Sequence, residues 1–176
     1  MMTKGRFSSN LLPKTPPRTV DSDEGGGGSL RYKSFTYRTS ATWKDGKCGA
    51  LCAEGKPEIL VTCPEEFHGE NGVWTPEEMF VGAVEVCHMV TFKSFAAKRQ
   101  LHILFYTSHA NGVLEFVDGD YRLTRIVIFP TIVVAAGSPE IEIHTALRDA
   151  QRHCLLANSI ASIVEVNPTL IIGDVP

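Results

Sequence analysis

Residues Thr75 to Leu101, TPEEMFVGAVEVCHMVTFKSFAAKRQL, decide how the rest of the chain is read. Thr75 is a favourable N-cap, Pro76 suits the first helical position, and Glu78 stands three residues after the cap, the spacing of a capping box. Gly82 is the only Gly or Pro in the run that follows, and Lys98 and Arg99 end it with the charge a helix C-terminus favours. A helix of about seven turns is expected. Met79, Phe80, Val84, Val86, Val90, Phe92 and Phe95 leave little polar face, so this helix should be buried nearly all round, as a core spine. Cys87 stands in its middle.

Upstream, residues 1–30 hold three prolines, a short acidic run and Gly25 to Gly28, with few large apolar side chains to offset the entropy of ordering. A flexible tail is expected there, and a single domain over 31–176. Tyr32, Phe35, Tyr37 and Thr39 favour a strand, and Asp45-Gly46 is a strong hairpin signal before a returning strand from Cys48 to Ala53. With Ile59 to Thr62 this makes an antiparallel meander, and a polar loop from Pro64 to Trp74 leads to the helix.

Downstream, Leu101 to Thr107 reads as a strand, Asn111-Gly112 as a turn and Val113 to Val117 as a second strand. Asp118-Gly119-Asp120 turns again into Tyr121 to Val134, where Pro130 predicts an edge or a bulge. Ser138-Pro139-Glu140 looks like another helix start, followed by an apolar face of Ile143, Leu147, Ala150, Cys154 and Ala157. Ile163 to Ile172 is a last β segment, with Pro168 again hinting at an edge. Strands, helix, strands, helix and strand sum to an α+β fold.

The net charge of -3 and pI near 6.1 leave no basic footprint for nucleic acid. No apolar run is read as a membrane span. Five cysteines, an odd number without a signal-peptide pattern, argue against a secreted disulfide framework and for a reducing, cytoplasmic setting. Cys48, Cys52, Cys63, His68 and the Cys87-His88 pair raise the question of zinc, but there is no Cys-x2-Cys pair. On a strand Cys48 and Cys52 would stand about 13 Å apart, so no metal is expected.

The Thr-Pro-Glu-Glu start, the small and apolar run to a mid-helix Cys87, and His153-Cys154 followed by Asn158 resemble the OsmC/Ohr family of thiol-dependent peroxidases acting on organic hydroperoxides. The resemblance spans roughly Arg31 to Ile172. It implies antiparallel sheets wrapped around two central helices in an intertwined homodimer, with no bound cofactor. It casts Cys87 as the peroxidatic thiol, which becomes a sulfenic acid, and Cys154 as the thiol that resolves it to a disulfide. An external dithiol would restore the pair.

Cys87 lies too far along its helix for the N-terminal dipole to lower its pKa, so a cation is needed. The family carries an Arg in the first hairpin, near Lys44 here, or in the loop before the helix, where 64–74 hold neither Arg nor Lys. Lys44 or Arg38 is left to stand in, although an ammonium is a point charge without the guanidinium's planar fork. Glu77, ten residues before Cys87, matches the family's carboxylate that steadies the Arg. Ten helical residues span about 15 Å and leave the two side chains roughly 80° apart, so Glu77 and Cys87 can share a site only if two copies of the helix cross antiparallel. Glu85 and His88 read as a polar pair on another face, and His153 as a helix or interface residue. The rival to a peroxidase is a non-catalytic dimer that binds a small apolar ligand and keeps its cysteines as core residues.

Overall fold

A computed structural model describes residues 33–173; the tail expected over 1–30 lies outside them. The first helix, α1 (Pro76–Lys98), starts as its sequence dictates. Thr75 is extended, its hydroxyl accepts the Glu78 N–H at 3.2 Å, and the Glu78 carboxylate accepts the Thr75 N–H at 2.9 Å. Burial departs from expectation. Only the i, i+4 stripe Val84, His88, Phe92 and Ala96 is buried within the chain, while Val86 and Val90 are 54% and 58% exposed. Length and composition alone would let α1 cross a membrane, which corrects the sequence reading; its buried stripe packs on protein.

Three strands precede α1: β1 (Ser40–Asp45), β2 (Cys48–Cys52) and β3 (Ile59–Val61), an antiparallel meander in that order, with Gly46 at positive φ in the hairpin. β1 begins at Ser40, because its partner ends there: Ser40 pairs with Cys52, after which the chain turns at Gly55. Phe35 and Tyr37 therefore stay exposed and outside any strand.

After α1, β4 (Ile103–Val117) and β5 (Asp120–Val134) form a long antiparallel hairpin, turning at Asp118 and Gly119, both at positive φ. The turn expected at Asn111-Gly112 is absent; both residues pair with β5 inside a continuous strand. Gly112 is there for packing, since a Cβ would lie 2.4 Å from Val81 Cγ2 on α1.

Helix α2 (Glu140–His153) then crosses to β6 (Ile163–Val166) and β7 (Thr169–Ile172), both parallel to β5. The single last strand is thus two, and the second sheet is mixed rather than purely antiparallel. β5 is its centre, so Pro130 is not at an edge. The Ile128 carbonyl accepts from Asn167 N–H at 2.8 Å, and strand alternation aims position 130 the same way, into the gap between β6 and β7. The missing N–H of proline falls where no ladder partner exists.

The core has two apolar clusters. Phe92 and Ala96 of α1, Ile132 and Val134 of β5 and Ile143, Ala146 and Ala150 of α2 form the larger. Val84 with Ile126 and Ile128 forms the smaller. Arg99 at the end of α1 pairs with Asp149 and, at 3.4 Å, with Glu142, tying the helices together.

Candidate active site

α1 presents Cys87 half-buried at its midpoint, with the Cys87 carbonyl accepting the Thr91 hydroxyl at 2.8 Å. Cys154 is 1% exposed, and the Cys87 thiol is its neighbour, close enough to raise its pKa. These two residues, 67 positions apart in sequence, are brought together by the packing of α2 on α1.

Cys154 does not sit inside α2, as the apolar periodicity suggested, but just beyond its end. Its backbone is extended (φ -67, ψ 112), its carbonyl accepts Asn158 N–H at 3.0 Å, and the N–H groups of Leu156 and Ala157 lie beside its sulfur. Burial pushes the Cys154 thiol up, as does the neighbouring Cys87 thiol, while the two backbone N–H groups pull it down. Nothing in the sequence marks those donors, because backbone amides carry no residue signature.

The other expected site residues lie elsewhere. Lys44 is ion-paired with Glu58 on the exposed face of the front sheet, and Arg38 is exposed in the segment before β1, with no ion pair recorded among the described residues. The front sheet makes no extended packing with α1 of its own chain. Glu77 sits in the first turn of α1, about 15 Å of rise from Cys87, with its Oε2 buried and without a partner among the described residues. The Glu85–His88 pair does not form. Glu85 accepts the Ser108 hydroxyl on β4 at 2.5 Å, and His88 points into the core. His153 stacks against Phe95 with ring centroids 5.5 Å apart.

The remaining cysteines serve the front of the molecule. Cys63 donates to the Phe67 carbonyl at 3.3 Å, and Cys52 lies 3.8 Å from a Glu58 oxygen. The Glu70 carboxylate beside Cys48 holds that thiol above its usual range, and a nearby Thr62 hydroxyl partly offsets it. Among the described residues no three His, Cys, Asp or Glu side chains gather as a metal site would require.

Two packed helices, with one thiol in the middle of the first and one just past the end of the second, set against a mixed sheet and preceded by a three-stranded meander, define an OsmC-like domain. The family model described as OsmC-like protein matches residues 69–169, and the chain belongs to that family. A solved OsmC-like protein of unknown function from Vibrio cholerae superposes with a TM-score of 0.72 at 25% identity, over 77% of this chain and 100% of that one. An organic hydroperoxide resistance protein from Elizabethkingia anophelis, with crystallant-derived thiocyanate bound, gives 0.64 at 19% identity over 81% and 99%. The uncharacterised YmaD protein of Bacillus subtilis is 20% identical over 109 residues, 60% of this chain and 73% of its own.

Proposed function

We propose that the protein is a thiol-dependent peroxidase that reduces organic hydroperoxides, and the observation that carries this reading is the juxtaposition of the Cys87 and Cys154 thiols. The Cys87 thiolate attacks the peroxide oxygen, the O–O bond breaks, and the alkoxide leaves as an alcohol after taking a proton. Cys87 is then a sulfenic acid. Cys154 attacks that sulfur, expels water and closes a disulfide, so two thiols and one hydroperoxide become one disulfide, one alcohol and one water. An external dithiol returns the disulfide to thiols, which suits a reducing, cytoplasmic compartment. The likeness to an organic hydroperoxide resistance protein supports the substrate class.

The reading includes a homodimer. Val86 and Val90 on α1 and Trp43 on the front sheet are apolar surface that a second copy would cover. Glu77 Oε2 is buried without a partner among the described residues, and a cation from the other copy, Lys44 or Arg38, would complete it and draw the Cys87 thiol toward its ionised form. A second reading, a non-catalytic dimer binding a small apolar ligand, is favoured by one observation: Lys44 is already engaged with Glu58.

Reduced protein mixed with one equivalent of cumene hydroperoxide separates the two. A peroxidase loses about two mass units, and peptide mapping finds Cys87 joined to Cys154. No thiol loss at stoichiometric organic hydroperoxide leaves the ligand-binding reading in its place.

A further inference from the structure

Three contacts fix the register of α1 on β4: Val81 over Gly112, Glu85 on Ser108, and Phe92 beside Tyr106, with ring centroids 5.9 Å apart. His88 falls between the second and third, one helical turn from both Val84 and Phe92. Those two residues belong to different apolar clusters. On β5 the inward residues run Ile126, Ile128, Pro130, Ile132 and Val134, and Pro130 pairs with Ser108 at the point where the clusters part. A polar layer therefore crosses the core at the level of His88. His88 is 1% exposed, and both of its ring nitrogens, like the Tyr106 hydroxyl, are buried without a hydrogen-bond partner among the described residues.

We propose that this layer is an acid-sensitive joint: uptake of a proton by His88 loosens α1 from β4 and β5 at the turn that carries Cys87. A neutral imidazole is tolerated between two apolar clusters, whereas an imidazolium there loses its hydration and finds little to replace it. The groups facing the layer are few. On α1 they are Glu85, whose carboxylate is held by Ser108, and the adjacent Cys87; on β4, the un-ionised Tyr106 hydroxyl. β5 presents only apolar residues, and α2 contributes Ile143, Ala146, Leu147 and Ala150, with Cys154 beyond its end.

Burial lowers the basicity of His88 below that of a free histidine. A depressed value in the fold means that the unfolded chain binds the proton more readily, so the contribution is present above the unfolded pKa and is lost as pH falls below it. The other five histidines, His68, His102, His109, His144 and His153, are exposed, so His88 stands apart from them in this respect.

The test compares urea unfolding of the wild type and His88→Gln at fixed protein concentration from pH 7.5 to 5.5. The wild-type folding constant should fall by up to about tenfold per pH unit below about 6.5, and the variant should show a clearly shallower dependence. Imidazole NMR of the wild type gives a second readout that needs no variant: the His88 ring stays neutral in the folded protein until unfolding begins. Equal pH dependence in wild type and His88→Gln overturns the proposal. So does a His88 ring that titrates near 6.5 while the protein stays folded. Neither result bears on the peroxidase reading, which the disulfide experiment decides.

Discussion

The body of the molecule and its front sheet are built from similar residues to opposite ends. In the body, α1, α2 and the mixed sheet close two apolar clusters within one chain and set two thiols against each other. In the front sheet, three short strands leave Trp43 74% exposed and make no extended packing with α1. The front sheet leaves apolar side chains such as Trp43 exposed, while its Lys44 is held by Glu58. The two thiols are held by the body, and the two cation candidates lie at the front, Lys44 in β1 and Arg38 in the segment before it.

The largest effect that would break this contrast is expected in the body. Phe92→Ala should cost about 3–5 kcal/mol in denaturant unfolding, because a fully buried ring in the larger cluster leaves a cavity. Trp43→Ala should instead lower stability in a manner that depends on protein concentration; a loss independent of concentration would mean that Trp43 serves its own chain. Next in size, Gly112→Val should cost about 1–3 kcal/mol by driving a side chain into Val81. Val81→Ala in the same chain should recover part of that loss in a double-mutant cycle.

Smaller again is Thr75→Ala, which removes a formed capping box and should cost about 1 kcal/mol of unfolding free energy. Lys44→Met should change stability by no more than about 1 kcal/mol, because its pair with Glu58 is solvent-exposed. Its effect on peroxide turnover is the sharper measurement. A large loss assigns the cation role to Lys44, and an unchanged rate leaves Arg38.

Much of this was readable in the chain. Thr75, Pro76 and Glu78 announced the helix because capping is local chemistry, and Asp45-Gly46 announced its hairpin for the same reason. Asn111-Gly112 misled for a reason of equal interest: its glycine answers to a helix packed 31 residues earlier in sequence, at Val81, and no local rule sees that. Pro130 likewise sits in a central strand because of a gap between β6 and β7 that the sequence does not advertise. Of the site, the thiols were legible as a pair through family resemblance. The amides of Leu156 and Ala157 beside Cys154, and the isolation of His88 from Glu85, depend on tertiary geometry.

The central claim is that Cys87 meets the peroxide first and Cys154 resolves it, and trapping with dimedone tests it most directly. Reduced Cys154→Ser protein, given one equivalent of cumene hydroperoxide, should stop at a sulfenic acid on Cys87 and take up one dimedone, while Cys87→Ser should consume no peroxide at all. Peroxide consumption by Cys87→Ser at the wild-type rate, or a dimedone adduct on Cys154 with none on Cys87, would contradict the account.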